Sequence, residues 1–319
     1  MSYKVLIPQD ITQAGKDYLK KCGYEVTVLK SFSEEEICKA VPEYDAILAR
    51  TAPYTRKILQ SGKKLKVIAR YGAGTDNIDL AAATELGIQV CNAPIANSNS
   101  VAEHTLALIL ACANNLVVQD KETRKGNYES RNQIKSRQIS GKVLGLIGCG
   151  HIGQLVAEKA AKGFQMKVIG FDSYLPKGKI PNNITEIKDS IDDVLAESDF
   201  VSLHVPLTKE TKNMIDMSSI SKMKKSAFII NCARGGIINE EDLFKALKRH
   251  VIAGACLDVF DKEPVEASNP LFSLDNIIVS PHNAALSYEA MDQMGLDAAK
   301  GIGEVLNGEK PTWPVNKLV

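Results

Sequence analysis

The sequence predicts an α/β protein built from two doubly wound parallel sheets, and three observations predict it. Short runs of β-branched and other apolar residues alternate with longer stretches of helical period, as strand–helix–strand units require. Most of these runs are apolar throughout instead of alternating with polar residues, which suits parallel strands covered on both faces. The runs fall into two series, and 319 residues are more than one hydrophobic core usually spans.

The first series reads "KVLIPQ", "YEVTVL", "AILAR", "LKVIAR" and "IQVCN". The second reads "KVLGLIG", "KVIGFD", "FVSLHVP", "AFIINCA", "GACLDVF" and "IIVSPH". Between them one long helix is expected from about Asn99 to Lys125, with Ser98 or Ser100 as its cap, Glu103 completing an S-x-x-E box and Gly126 as its stop. If Val143–Ile147 is the first strand of the second domain, that domain runs over 99–286. The other domain is then 1–98 plus 287–319, with "GEKPTWPVNKLV" returning to it. No solenoid repeat and no low-complexity segment interrupts this order.

At 45% hydrophobic and 24% charged residues the composition is that of an ordinary globular protein. A formal net charge of +1 argues against a dedicated nucleic-acid surface, and Lys222–Lys225 reads as a solvated helix end. The seven cysteines are scattered and form no C-x-x-C pair, which argues for a reducing compartment and against a disulfide frame or a metal site. "MSYKVLIPQD" runs straight into a strand without a signal peptide. The longest apolar stretch, Val101–Val118, contains Glu103, His104, Asn114 and Asn115, so a buried helix is expected there and not a membrane span. The expectation is a cytoplasmic protein with a small-molecule partner and neither nucleic acid nor membrane.

"LGLIGCGHIG", Leu144 to Gly153, carries the spacing G-x-G-x-x-G. Alone it marks only a sharp turn. Here a strand precedes it, a helix comes after it with Ile152, Leu155, Val156 and Ala160 on one face, and Asp172 ends the next strand about 20 residues on. That context makes Gly148, Gly150, His151, Ile152 and Gly153 a dinucleotide turn. Gly148 permits the bend, Gly150 lets backbone N–H groups approach a pyrophosphate, and Gly153 lets the helix pack close to the strand. Asp172 would accept hydrogen bonds from the ribose hydroxyls and repel an added phosphate, so NAD is expected over NADP. FAD and S-adenosylmethionine enzymes use similar turns, so the reaction has to be read elsewhere.

Moving a hydride to or from an alcohol carbon needs a group for the hydroxyl proton and a cation for the substrate. Of five histidines, His104 and His250 read as structural, His151 lies in the turn, and His204 ends a strand as a cofactor contact. His282 ends the last strand of the second series, where ligands of open parallel sheets sit. Position alone leaves it balanced between an acting and a structural histidine. Arg234 in "NCARGG" can hold a carboxylate bidentately, and Asp258, Asp261 and Glu263 come after another strand. A carboxylate beside a histidine fixes its ring and favours its charged form. A methyltransferase would leave Arg234, Glu263 and His282 without roles.

With "ARYGAGTDNIDL", "NSNSVAEHTLALIL", "LGLIGCGHIG", "LHVPLT", "INCARGGIINEEDL", "GACLDVFDKEP" and "SPHNAALSYEA" in order, the chain resembles the D-2-hydroxyacid dehydrogenase family over nearly its whole length, most closely its phosphoglycerate dehydrogenase branch. The resemblance implies a Rossmann nucleotide domain inserted in a flavodoxin-like substrate domain, with substrate held between domains that close. It implies Arg234, Glu263 and His282 as the catalytic residues, with His204, Pro206, Cys232 and Asp258 near the cofactor. It implies that Tyr71, Gly72, Ala73 and Gly74 bind the substrate carboxylate through backbone N–H groups. Arg50 and Arg70 end strands of the substrate domain and match positions that hold a phosphate, which points to 3-phosphoglycerate and 3-phosphohydroxypyruvate, the serine-biosynthesis pair. A structural ion pair is the other use for either arginine.

The chain stops after Trp313–Val319, so a short form without a serine-sensing regulatory domain is expected. Short chains also typify hydroxypyruvate and glyoxylate reductases, the alternative reading. The family further contains NAD-sensing corepressors, whose extra partner-binding tails this chain does not show. The resemblance also implies a homodimer through the nucleotide domain; the apolar face of the helix from Asn99 suits that interface and internal core equally.

Overall fold

The structure, a computed structural model, describes residues 2–176 and 178–318. The chain divides into two compact units, Met1–Ser98 with Ala285–Val319, and Asn99–Ala284. Met1, Lys177 and Val319 within those ranges lie outside the described residues.

The first unit carries β1 (Lys4–Ile7), α1 (Gln13–Lys21), β2 (Glu25–Val28), α2 (Glu34–Ala40), β3 (Ala46–Ala49), α3 (Arg56–Ser61), β4 (Val67–Arg70), α4 (Leu80–Glu85) and β5 (Gln89–Cys91). The second carries α5 (Ser98–Ala113), α6 (Leu116–Arg124), α7 (Ser130–Gln133), β6 (Val143–Ile147), α8 (His151–Phe164), β7 (Lys167–Phe171), β8 (Glu186–Ile187), α9 (Ile191–Glu197), β9 (Phe200–Leu203), α10 (Met217–Ile220), β10 (Phe228–Asn231), α11 (Glu240–Lys248), β11 (Gly254–Leu257) and β12 (Ile277–Val279). The chain then forms α12 (Tyr288–Leu306) in the first unit.

The first sheet has the order β2-β1-β3-β4-β5, parallel throughout, the flavodoxin-like winding. Its inner strands β1, β3 and β4 are apolar over most of their length because both faces are covered. Val5, Ile7, Ala46, Leu48, Val67 and Ala69 pack with α1 and α12 on one face. Leu6, Ile47, Ala49, Ile68 and Val90 pack with α2, α3 and α4 on the other, as a period of two dictates. Helices α1 and α12 meet at two glycines, where a Cβ on Gly15 would stand 2.6 Å from the Gly295 carbonyl oxygen. Gly15→Ala is therefore expected to destabilise the protein by about 1–3 kcal/mol, although Ala is the better helix former by up to about 1 kcal/mol. Urea denaturation would check it; equal or higher stability would mean that the helices part at no cost.

The second sheet has the order β12-β11-β10-β9-β6-β7-β8, also parallel. Winding reverses between β6 and β9, so the carboxyl ends of those strands open the crevice in which such sheets bind ligands. β8 was not among the expected strands. Only Glu186 and Ile187 pair there, on the sheet edge, too few residues to leave a pattern.

The expected single helix from Asn99 to Lys125 is instead two helices, α5 and α6, bent by 59°. Asn115 adopts the left-handed region at φ 50°, which asparagine tolerates better than most residues. The Asn114 amide donates to the Leu110 carbonyl, and that of Asn115 to the Lys135 carbonyl, so both compete with the helical ladder. The start differs too. Ser98 is already helical, and Ser100 donates its hydroxyl to the Ala284 carbonyl instead of capping. Gly126, at φ 78°, does stand just past the end. The apolar stretch is buried only in α5; α6 buries no residue, and Leu116 and Val117 are exposed. Among the described residues no single helix is long and apolar enough to cross a membrane.

Candidate active site

The glycine turn closes the carboxyl end of β6. Gly148 has φ 96°, and a Cβ there would stand 2.7 Å from the His204 backbone. A Cβ on Gly153 would collide with the Gly148 carbonyl, so α8 can start against the turn only with glycine at that position. Gly150 differs: a Cβ there would meet nothing within 4 Å. The start of this 14-residue helix has no side-chain cap, so its N–H groups and positive dipole end face open space.

Asp172 comes directly after β7 and is held in place from both sides. Its Oδ2 accepts the Cys149 N–H at 2.8 Å and its Oδ1 the Tyr174 N–H at 2.9 Å. Each oxygen keeps a lone pair for a ribose hydroxyl. The open volume over Gly150 and the oriented carboxylate fit the pyrophosphate and the neighbouring ribose of a dinucleotide. The Cys149 amide, which binds Asp172 to the turn, gave no signal in the sequence. Its thiol is pushed up to about 12 by burial, with the Asp172 charge adding to the effect, and it donates to the Phe171 carbonyl at 3.9 Å.

His204 comes directly after β9, beside this turn, its Nε2 3.0 Å from Ser202 Oγ. Burial pulls its pKa down to about 4, so the imidazole is neutral at neutral pH. In the unfolded chain the ring takes up a proton near 6.5, in the folded protein only near 4. The stability from keeping it neutral is complete above pH 6.5 and falls as pH drops toward 4. Its size is at most about 3 kcal/mol, less because part of the residue reaches the surface. Denaturation at pH 7 and pH 4.5 should show a larger loss for the wild type than for His204→Asn; equal losses would refute the assignment.

The loops after β10, β11 and β12 carry the other chemistry of this unit. Asn231 ends β10 and shapes the next turn: its Oδ1 accepts the Ala233 N–H and its Nδ2 donates to the Arg234 carbonyl. Arg234 itself donates to the Ala233 carbonyl at 2.8 Å. A Cβ on the next residue, Gly235, would collide with the Phe260 carbonyl, so this loop lies directly on the one after β11. Gly236 N–H donates to Asp261 Oδ1, and Asp261 N–H to Glu240 Oε1, each at 2.6 Å. Asp261 is thus a brace between loops. Cys232, expected near the cofactor, is buried, and burial pushes its thiol up to about 12. Pro206 accepts the Thr211 hydroxyl through its carbonyl.

Glu263 and His282 meet at 2.6 Å, Oε2 to Nδ1. The second carboxylate oxygen accepts the Phe260 N–H at 3.0 Å. Burial pulls the Glu263 pKa up, but the His282 and Phe260 hydrogen bonds, with the His282 and Arg234 charges, outweigh it and hold the carboxyl below its ordinary value. With Nδ1 committed to Glu263, Nε2 is the ring nitrogen left to exchange a proton with a ligand. His282 lies at φ 51°. The fully buried Asp258 holds this turn: its carboxylate accepts the Asn283 and Ala284 N–H groups, and its carbonyl the His282 N–H. The resemblance implies Asp258 near the cofactor; in the structure its carboxylate accepts hydrogen bonds from Ser280, Asn283 and Ala284.

In the first unit, Arg50 and Arg70 stand at the carboxyl ends of the adjacent strands β3 and β4. Arg50 donates to the Asp10 carbonyl at 3.1 Å and lies 5.8 Å over the Tyr71 ring. Gly72 comes next at φ 127°, its carbonyl accepting the Ala93 N–H, while the Ala73 carbonyl accepts the Asn92 amide. Arg234, Glu263 and His282 thus come together in one unit, and Arg50, Arg70 and the loop Tyr71–Gly74 in the other.

A sheet wound around a glycine turn, with an acid on the next strand and a His–Glu pair at the far strand ends, is the anatomy of a dinucleotide-dependent dehydrogenase. The profile of "D-isomer specific 2-hydroxyacid dehydrogenase, NAD binding domain" matches residues 106–284. A D-3-phosphoglycerate dehydrogenase of Methanocaldococcus jannaschii is 42% identical over 314 residues, 98% of this chain. A hydroxypyruvate reductase of Thermotoga maritima is 41% identical over 287 residues, 89% of this chain and 92% of that one. Among solved structures, a protein of Thermus thermophilus superposes with a TM-score of 0.90 at 32% identity, covering 98% of this chain and all of the other. The chain belongs to the D-isomer-specific 2-hydroxyacid dehydrogenase family, and the second unit is that family's NAD-binding domain. The whole chain spans 59% of the length of the archaeal relative.

Proposed function

We propose that the chain is an NAD-dependent oxidoreductase acting at C2 of a D-2-hydroxy acid, with 3-phosphoglycerate and 3-phosphohydroxypyruvate as its preferred pair. The observation that carries this reading is the 2.6 Å contact of His282 and Glu263 beside the Arg234 loop. Bound nicotinamide supplies or accepts the hydride. Glu263 fixes the His282 ring, and Nε2 takes the hydroxyl proton in oxidation and returns it to the oxygen in reduction. Arg234 holds the substrate carboxylate and polarises the C2 oxygen. The N–H groups of Tyr71–Gly74 bind the carboxylate as well, and Arg50 and Arg70 take the phosphate. Gly148–Gly153 receive the pyrophosphate, Asp172 selects NAD, His204, Pro206 and Cys232 line the cofactor, and Asp258 holds the His282 turn beside it.

A homodimer through the second unit is part of the proposal. The exposed Leu116 and Val117, beside a groove lined by Val118, Phe228 and Ile277, support it. Seven free thiols support a cytoplasmic setting.

A second reading, a hydroxypyruvate reductase, is favoured by the Thermotoga relative, which the chain covers almost whole. The engagement of Arg50 with Asp10 and Tyr71 also favours it. NADH oxidation with phosphohydroxypyruvate, hydroxypyruvate, glyoxylate, pyruvate and 2-oxoglutarate separates the two. The expected result is a kcat/KM advantage of about 100-fold for the phosphorylated acid, equivalent to about 2.7 kcal/mol. A preference for hydroxypyruvate or glyoxylate would make Arg50 and Arg70 structural and the second reading correct.

A further inference from the structure

We propose that His104 and Ser280 are positioning residues for His282, acting through the buried carboxylate of Asp258. The proposal rests on His282 as the proton-transfer residue. His282 is held at φ 51°, a conformation that costs a side-chain-bearing residue free energy and persists only where the surroundings enforce it. The enforcing group is Asp258. Its Oδ1 accepts the Ser280 hydroxyl at 2.6 Å and the Asn283 N–H at 3.0 Å, and its Oδ2 the Ala284 N–H at 3.0 Å. Its main-chain oxygen accepts the His282 N–H at 2.7 Å. Four residues of the turn, Ser280, His282, Asn283 and Ala284, are tied to this one aspartate.

His104 adds the next link. Its Nε2 lies 3.1 Å from Ser280 Oγ and 3.7 Å from Asp258 Oδ1. Ser280 spends its proton on the carboxylate, so its oxygen is the acceptor and His104 Nε2–H the donor, which fixes the His104 tautomer. A fully buried carboxylate needs such donors, and polarised chains of hydrogen bonds strengthen one another. His104 stands in the middle of the 16-residue α5. The chain His104–Ser280–Asp258 therefore fastens the left-handed turn to a rigid helix. Serine suits its position because it must accept one proton and donate another, and histidine suits its own because it must donate one from the helix.

The test compares His104→Leu, which removes the donor, with His104→Gln, which keeps an N–H at similar reach, and with Ser280→Ala. It uses the full chain and two readouts, hydrogen exchange of the 280–286 amides without cofactor and steady-state kinetics with NADH. His104→Leu and Ser280→Ala are expected to speed exchange at Asn283 and Ala284 about tenfold and to lower kcat about tenfold. KM for NADH should stay within about twofold, and His104→Gln should recover both readouts to within about threefold. Unchanged exchange in Leu and Ala variants that melt like the wild type would overturn the proposal. So would faster exchange with unchanged kcat, or a Gln variant no better than Leu. If His104→Leu does not fold, Ser280→Ala alone decides by the same criteria. If the wild type turns over no 2-oxo acid, the proposed activity fails, while the exchange experiment still decides whether His104 holds the turn.

Discussion

His282→Asn is expected to fold and bind NADH like the wild type while losing about 10²–10⁴-fold in kcat, the range a general acid–base contributes. Asparagine is the informative substitution because position 282 has φ 51°, which Asn adopts more readily than Ala or Gln. The turn held by Asp258 should survive, so the kinetic loss reports the imidazole and not a displaced loop. The Glu263 partner explains why the loss should fall in kcat. Its carboxylate, kept ionised by its hydrogen bonds, stabilises an imidazolium only when a proton has arrived. The ring therefore gives most where charge develops, in the transition state. Steady-state kinetics and a fluorescence titration with NADH check this. A loss below about tenfold would remove His282 from proton transfer. An equal loss of NADH affinity would show that the histidine serves the cofactor pocket.

Legibility in the sequence depends on how far each interaction reaches along the chain. Gly148, Gly150, Gly153 and Asp172 were legible because a strand, a turn, a helix and the next strand end keep fixed spacing. The strand ends bearing Arg234, Glu263 and His282 were legible because apolar runs mark where strands stop. The break at Asn115 was hidden, since its left-handed turn is secured by the Lys135 carbonyl, which sequence does not place beside it. The Asn231 turn around Arg234, the Asp261 brace and the Asp258 ties were equally hidden. Each depends on which backbone amides a carboxylate or amide finds after folding. An asparagine three residues before an arginine does carry a faint local signal, that of a side chain mimicking a turn. Arg50 shows the opposite limit: its place at a strand end was readable, its engagement with Asp10 and Tyr71 was not.

Gly150→Val is expected to separate cofactor binding from folding at the glycine turn. A Cβ at Gly150 meets nothing within 4 Å, and its φ of −69° is one that residues with a side chain adopt. Stability should therefore stay within about 1 kcal/mol of the wild type, the cost of a poor residue at a helix N-cap. The added methyls would fill the space over the uncapped α8 N-terminus, where a pyrophosphate takes its N–H hydrogen bonds. Kd for NADH should rise at least about 100-fold, equivalent to about 2.7 kcal/mol. The neighbouring glycines provide the contrast, because Cβ atoms at Gly148 and Gly153 run into the His204 backbone and the Gly148 carbonyl. Alanine at either should lower the melting temperature before any cofactor is added. Thermal melts and NADH titrations of the three variants together decide the matter. Unaltered NADH affinity in Gly150→Val would mean that the space over α8 is not where the phosphates bind. A melting temperature that fell with the affinity would make Gly150 a structural glycine like its neighbours.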